Sequence, residues 1–358
     1  MTESPPDLFA AEVPRAAAPP DDPAFVDAWP GDRPVPLDGW FERNRFQPVW
    51  AAVLVFVLAF LVFNVVGGVV IAVGPVMETL KGGGAPPDVN DLLTKYPYLF
   101  LGGNAVGQVV AFGLLAWLAA RLSTRRTAAF LRLRAPGAEG LGLAALGWAA
   151  LYPGVLLLGE LNAKLPVPQW IESMDQMRAD ALEALLLGSD VSTLFLFLTV
   201  ALTPALFEEL LFRGYLQRQV ERRFGAMTSL VAVGIFFGLY HMSVTQLVPL
   251  SVLGIYLGFV VWATGSLWTG VLVHLLNNGT AVVIAGFARG NPAMDIESME
   301  GMGVPTYLSA GAALVGALGV WAVCRALAAR RAAHTDGQPD TRPVASLSPL
   351  SPVAPPVL

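Results

Sequence analysis

Residues 192–216 read STLFLFLTVALTPALFEELLFRGYL, an apolar run of 25 residues that contains two adjacent glutamates and one arginine. A helix of about 20 apolar residues crosses the ~30 Å hydrocarbon core of a bilayer, so this run is long enough to span a membrane. Ionisable groups are costly inside a bilayer and are therefore candidates for a functional site. This one run predicts both the class of fold and the place of its chemistry.

Further apolar runs indicate that the central part of the chain is a bundle of membrane helices. Charged residues make up 14% of the 358 positions, against about a quarter in a soluble domain. The predicted fold is all-α, a polytopic transmembrane helical bundle of about eight membrane helices. The predicted spans are approximately 49–74, 98–121, 140–159, 192–216, 226–243, 245–264, 267–287 and 307–325. The fifth and sixth are separated by a very short connection, so a broken helix or a re-entrant pair is the alternative there.

Two proline-rich segments flank the bundle. Residues 1–45 contain nine prolines among acidic and small residues, and residues 332–358 have a similar composition. Such segments bury too little apolar surface to offset the entropy lost on ordering, so both are predicted to be disordered. The predicted organisation is a tail at 1–45, a transmembrane domain at 46–331 and a second tail at 332–358. The first apolar run begins too late for a signal peptide and is predicted to stay as an anchor.

The distribution of basic residues predicts the orientation, because Lys and Arg concentrate in cytoplasmic segments near the span ends. With the N-terminus inside, thirteen arginines fall in inner segments and five basic residues in outer ones. Both tails are therefore predicted to be cytoplasmic, and the richness in Ala, Gly and Pro suggests the inner (plasma) membrane of a bacterium. The acidic outer loop 160–191 contains an amphipathic stretch at 173–187 that predicts a surface helix, to which no chemistry is assigned.

Composition also limits the partners. No basic stripe or nucleic-acid motif is present, so membrane lipids are predicted partners and nucleic acid is not. Cys324 is the single cysteine, which excludes an internal disulfide and argues against a thiolate metal cluster.

Three predicted spans carry candidate site residues at similar depth. The candidates are Glu208, Glu209 and Arg213 in span four, Phe237 and His241 in span five, and His274 and Asn278 in span seven. At ~1.5 Å per residue, Glu208, His241 and His274 lie about 15, 20 and 12 Å from the ends of their helices. All three are expected in the middle third of the membrane, on different helices, and together they predict a functional site.

Helical geometry separates the two glutamates. Glu209 and Arg213 are four residues apart and share a face, so they are close enough to pair. Glu208 points about 100° away from Glu209. This asymmetry predicts a supporting role for the Glu209–Arg213 pair and a chemical role for Glu208. His274 and Asn278 are also four residues apart and share a face.

The three patterns together resemble the signature of the CPBP family, the CAAX-protease and bacteriocin-processing family, also called ABI or Rce1-like. They are Glu-Glu-x-x-x-Arg at 208–213, Phe-x-x-x-His at 237–241 and His-x-x-x-Asn at 274–278. The flanking Phe-Arg-Gly at 212–214 and Gly-Ser-Leu-Trp at 265–268 match as well, and the resemblance covers about residues 190–287. It implies an intramembrane endopeptidase. Because the composition suggests a bacterial chain, the expected substrate is a peptide or protein delivered in the membrane, such as a pheromone or bacteriocin leader, and not a prenylated protein.

Two catalytic schemes fit this resemblance. In the favoured one, Glu208 and His241 activate water while His274 and Asn278 donate hydrogen bonds to the oxyanion, with Phe237 in support and no cofactor. Each oxyanion donor is worth ~3 kcal/mol in soluble proteases. In the alternative, the carboxylate and the two imidazoles are ligands of a zinc ion that holds the reactive water. Against zinc, the chain lacks the His-Glu-x-x-His helix that places two ligands on one face.

Two other classes of function stay open at this point. A transporter also places buried Glu, Arg and His on a midplane pathway, but it often shows internal repeats, and none is visible here. A non-catalytic immunity or binding protein on the same scaffold is the third interpretation. All the matched motif positions are filled, which favours the peptidase.

Overall fold

The computed structural model describes residues 25–26, 34–82, 93, 95–187, 190–290 and 306–336. Two short strands, β1 (Phe25–Val26) and β2 (Val35–Pro36), pair in antiparallel fashion. All other regular structure in this part of the chain is helical. The helices are α1 (Trp40–Arg43), α2 (Pro48–Leu80), α3 (Pro97–Ser123), α4 (Thr127–Phe130), α5 (Ala138–Ala163), α6 (Gln169–Leu186), α7 (Thr193–Phe224), α8 (Ala226–Tyr240), α9 (Leu247–Thr264), α10 (Leu267–Gly290) and α11 (Thr306–Asp336).

The predicted bundle of membrane helices is confirmed. Within the described ranges, seven helices are long and apolar enough to cross a membrane: α2, α3, α5, α7, α9, α10 and α11. The fifth expected span corresponds to α8, which is apolar but has only 15 residues. The chain is therefore an integral membrane protein with an all-α fold.

The packing of the helices places α3, α7 and α9 closest to the centre of the bundle. Helix α9 has the largest buried share of the spans, followed equally by α3 and α7, while α2, α5 and α11 bury few of their residues, as lipid-facing helices do. Helix α8 packs along α9, α2 along α3, and α5 along α11. The residues singled out from the sequence lie on α7, on α8 or directly after it, and on α10, so the candidate site is formed by these three helices.

Two glycines with positive φ set the turns next to the site. Gly225, with φ 80°, ends α7 and begins α8, and Gly265, with φ 65°, caps the C-terminus of α9. Only glycine adopts such angles without a steric penalty. Helices α8 and α9 are thus separate elements of an antiparallel hairpin, joined by residues 241–246. This hairpin excludes the broken-helix alternative for spans five and six and agrees with a re-entrant pair as well as with two spans.

Close approach of α8 and α9 depends on small residues. A Cβ added at Gly234 would lie 2.6 Å from the backbone nitrogen of Ile255, and one at Gly254 would lie 2.7 Å from the carbonyl oxygen of Gly234. Small residues at such crossings let helix backbones pack closely where hydrophobic forces do not favour association. The hairpin that ends in His241 is therefore closely packed.

The expected disorder of residues 1–45 is wrong for residues 34–45. Val35 and Phe41 are buried against the bundle, and the backbone nitrogen of Gly39 donates to the carbonyl oxygen of Ser123 at 2.9 Å. The guanidinium of Arg222 also holds both carboxylate oxygens of Glu42, at 2.9 and 2.8 Å. A few apolar residues anchor this segment, and the average composition of the tail concealed them. Residues 1–24 and 27–33 lie outside the described residues.

Two other expected boundaries can be compared with the structure. Helix α11 continues to Asp336, past the expected start of the second tail at 332, and residues 337–358 lie outside the described part. The amphipathic stretch expected at 173–187 is a helix, α6, which begins four residues earlier. It exposes Trp170 and Met177.

Candidate active site

Helix α7 carries both glutamates on a short α-helical segment between two π-helical turns. The α-helical segment is Thr203–Glu209, and the π turns are Phe197–Leu202 and Leu210–Leu216. The hydroxyl of Thr203 donates to the carbonyl oxygen of Leu198, five residues back, at 2.7 Å. Turns of this kind are rare and are frequently found at functional sites, because they change the direction of the side chains that follow. The sequence pattern did not predict them.

Glu209 and Arg213 form a fully buried ion pair. The Arg213 Nη1 donates to Glu209 Oε1 at 2.8 Å, and both side chains have 0% exposure. The second guanidinium nitrogen, Nη2, donates to the carbonyl oxygen of Gly254 at 3.0 Å. The guanidinium also lies over the ring of Phe237, 4.3 Å from its centroid. The pair expected from the four-residue spacing is present, and the guanidinium contacts Glu209, Gly254 and Phe237, while its Nε has no partner within the described residues.

Glu209 also binds His274, a contact that the sequence did not reveal. The Nδ1 of His274 lies 2.9 Å from Glu209 Oε1, and the imidazole is almost completely buried. An ionised carboxylate can only accept, so Nδ1 carries the hydrogen in this contact. Gly270, one turn before His274, makes room for it, because an added Cβ would lie 2.8 Å from Glu209 Oε2. One carboxylate therefore joins Arg213 on its own helix to His274 on α10.

His241 follows the last residue of α8 and is fixed by that helix. Its Nδ1 lies 2.8 Å from the carbonyl oxygen of Phe237. The carbonyl accepts, so Nδ1 carries the hydrogen and Nε2 of the neutral ring keeps its lone pair. The Phe237 ring contacts both imidazoles, with centroids 4.8 Å from His241 and 5.8 Å from His274. The Phe237 ring thus contacts both histidines and the guanidinium of Arg213.

Glu208 differs from its neighbour in its partners. It is 5% exposed, and its Oε2 has no hydrogen-bond partner within the described residues. Buried polar atoms in proteins nearly always have a partner, so this oxygen is available to a water molecule or a substrate group. The Oε2 of Glu209 also has no partner within the described residues, so the two glutamates differ in Oε1, which in Glu209 binds both Arg213 and His274.

Asn278 lies one turn after His274 on α10 and contacts α7. Its Nδ2 donates to the carbonyl oxygen of Val200, in the first π turn, at 3.1 Å. Its Oδ1 accepts from Nδ2 of Asn277 at 3.2 Å. An amide nitrogen has two hydrogens, so one remains beyond the contact with Val200. Asn277 had no role in the sequence-based prediction.

The zinc alternative can be compared with these positions. Among the described residues, no group of three or more His, Cys, Asp or Glu side chains converges so as to hold a metal ion. Glu208, His241 and His274 therefore do not fit a three-ligand zinc site in this arrangement. A zinc site on these residues would require them to move together.

Comparison with known proteins identifies one segment of the chain. The family model described as type II CAAX prenyl endopeptidase Rce1-like matches residues 190–280. No curated protein and no solved structure matches. The matched segment runs from just before α7 to just past Asn278 and includes all three motifs. Residues 190–280, which carry the candidate site, are therefore Rce1-like, as their motifs indicate.

Proposed function

We propose that this protein is an intramembrane endopeptidase that hydrolyses a peptide bond of a membrane-associated peptide or protein. The observation that supports this most directly is the contrast between the two glutamates. Glu209 is engaged by Arg213 and His274 through Oε1, whereas Glu208 forms no ion pair or hydrogen bond within the described residues. A carboxylate held in this way within an Rce1-like segment suits a general base.

In the proposed reaction, Glu208 takes a proton from a water molecule and the resulting hydroxide attacks the peptide carbonyl carbon. The Nε2 lone pair of His241 accepts a hydrogen bond from the second O–H of that water, because Nδ1 is committed to the Phe237 carbonyl. The carbon–nitrogen bond then breaks, and Glu208 returns its proton to the departing amine. The carboxylate ends the cycle ionised, as it began.

The proposed oxyanion donors are His274 and Asn278. Because His274 Nδ1 donates to Glu209, its Nε2 donates to the oxyanion in the ring form that carries both hydrogens. Asn278 contributes the amide hydrogen that Val200 does not use. Donors fixed in advance toward developing charge stabilise the transition state without reorganising. Glu209 and Arg213 act in support by fixing His274.

The proposed substrate class is a peptide or protein that reaches the site from within the membrane. Lipids are the other proposed partners, and nucleic acid is not one. The matched family model is described as a type II CAAX prenyl endopeptidase. For this chain the proposal is kept to membrane-associated peptides, and it includes no cofactor. A zinc-dependent peptidase using the same residues is the runner-up.

Proteomics of membrane fractions tests the proposed activity. Cells that express the wild-type chain should contain new peptide termini that are missing from cells expressing Glu208→Gln. Glu172→Gln makes the same chemical change on the exposed surface of α6 and should leave these termini in place. An identical set of termini in all three samples would point to a non-catalytic membrane protein.

We further propose that both tails face the cytoplasm, with the chain in the plasma membrane (the inner membrane in a bacterium). The test uses a Cys324→Ser background and a maleimide that does not cross membranes. A cysteine replacing exposed Ser173 on α6 should react in intact cells. A cysteine replacing exposed Arg125, between α3 and α4, should react only after permeabilisation. The reverse pattern would invert the proposed orientation.

A further inference from the structure

The loop that carries His241 is held by side chains from outside its own hairpin. Residues 241–246 connect α8 to α9, and Met242, directly after His241, has φ 52°. A non-glycine residue in this region is strained and persists where its surroundings fix it. The loop conformation therefore depends on its neighbours.

The first outside anchor is Asp175 of α6. Its Oδ2 accepts the backbone N–H of Thr245 at 3.0 Å, and the residue is buried although it lies in an otherwise acidic, exposed helix. Burial opposes ionisation of Asp175, but hydrogen bonds from Thr245, Ser243 and Val244 outweigh it and hold the pKa of this carboxyl below its usual range. Asp175 is thus a carboxylate directed into the loop.

A second anchor comes from Asn162, near the C-terminal end of α5. Its Nδ2 donates to the carbonyl oxygen of Val244 at 2.8 Å, and its Oδ1 accepts the backbone N–H of Val248 at 3.0 Å. Asn162 is buried as well. The two anchors come from different helices and bind adjacent residues of the loop, and Asn162 also holds the first turn of α9.

Arg178 links Asp175 to the backbone of His241. Arg178, one turn further along α6, lies 3.9 Å from Asp175 Oδ1, and its Nη1 donates to the carbonyl oxygen of His241 at 3.5 Å. These contacts join α6 to both ends of the loop. A substitution at Asp175 therefore alters the hydrogen bonds that surround the backbone of His241, while the imidazole contact with Phe237 belongs to α8.

We propose that Asp175 is a positioning residue for His241, fixing the 241–246 loop so that the imidazole is held in one orientation for the reaction. This inference rests on the proposed role of His241 in activating water. Asp175 touches no reacting atom and acts only through the loop, with Asn162 as the second anchor. Helix α6, which the sequence left without a task, thereby becomes part of the catalytic framework.

The central experiment compares Asp175→Asn with Asp180→Asn in the full-length protein in lipid bilayers. Asp180 lies on the same helix, is exposed, and bonds to Gln176 of that helix at 2.7 Å. The chain has three histidines, so ¹⁵N-histidine NMR resolves the His241 ring once His241→Ala identifies its signals. Asp175→Asn should shift the His241 ring signals and leave those of His274 unchanged. Asp180→Asn should shift neither.

Cleavage provides a second measurement on the same variants. The new termini produced by the wild-type chain should fall at least tenfold with Asp175→Asn and remain with Asp180→Asn. In a His241→Ala background, adding Asp175→Asn should cause no further loss, because the anchor acts through that histidine. A further loss of similar size there would mean a merely structural role and would overturn the proposal.

Other outcomes separate the anchor from the proposed function. Unchanged His241 signals in Asp175→Asn, or equal shifts at His274, would overturn the anchor. If His241→Ala cleaves normally, the proposed reaction is wrong, while the NMR comparison still reports on the loop. Should Asp175→Asn fail to fold, Asn162→Ala removes the anchor on the other helix and must shift the same His241 signals.

Discussion

Glu208→Gln and Glu209→Gln make the same nearly isosteric change at adjacent positions, and we expect them to affect the protein in different ways. Glu209 Oε1 accepts from Arg213 at 2.8 Å and from His274 at 2.9 Å, all within the buried interior. Glutamine at this position leaves a buried cation without its counter-charge. Glutamine at position 208 breaks no hydrogen bond with any of the described residues.

The expected magnitudes follow from these contacts. Removing one partner of a buried ion pair costs about 3–5 kcal/mol. We expect the lower end for Glu209→Gln, because the amide oxygen still accepts one hydrogen bond and Gly254 still holds Arg213. At roughly 2–4 °C per kcal/mol, this is a fall of roughly 6–12 °C in Tm. For Glu208→Gln we expect a change in stability below about 1 kcal/mol and a loss of cleavage of at least about 100-fold.

Thermal unfolding in detergent, run beside the cleavage measurement, separates the two effects. The nine tryptophans of the chain provide a fluorescence signal for unfolding. The double variant Glu209→Gln/Arg213→Met is the matched control, because it removes the stranded cation and should recover part of the lost Tm. Wild-type cleavage by Glu208→Gln, or wild-type stability of Glu209→Gln, would refute the reasoning.

Three further predictions concern the surroundings of the site. Gly270→Ala should lower stability by about 1–3 kcal/mol in the same unfolding assay, because its Cβ would crowd Glu209 Oε2 at 2.8 Å. The control is Gly102→Ala, whose Cβ meets nothing within 4 Å and which should be neutral or slightly stabilising. Asn278→Ala should reduce cleavage about 100-fold or more if it is an oxyanion donor, while Asn277→Ala should cost less than tenfold; equal effects would contradict that assignment. Purified active protein should keep its activity in strong chelators, and elemental analysis finding stoichiometric zinc that is lost together with activity would establish the metal-dependent alternative.

The sequence could predict what depends on one helix at a time. Apolar runs of spanning length require a membrane bundle, because backbone polar groups in hydrocarbon must be satisfied within the helix. The Glu209–Arg213 pair follows from the same local geometry, since residues four apart on a helix are neighbours. Both were expected, and both are present.

The sequence could not predict contacts that depend on how helices cross. The bond from Glu209 to His274 joins α7 to α10, and no spacing along the chain encodes it. Asp175 appeared to be one more acidic residue of an exposed loop, because its burial arises only where α6 meets the α8–α9 connection. The closeness of Gly270 to Glu209 is also a property of packing, and it could be recognised only after the fold was known.

The short length of α8 has a consequence for the surrounding lipid. Its 15 residues rise about 22 Å, roughly 8 Å less than a typical hydrocarbon core. Arg222 and Arg223 precede the N-terminus of α8 and favour the membrane interface there. The missing length therefore falls at the C-terminal end of α8, next to His241. A bilayer meets such a mismatch by thinning locally, at a cost that rises with acyl-chain length. Proteoliposomes made from longer-chain lipids should therefore resist the thinning, and hydration of the site would depend on the thickness of the membrane that holds it.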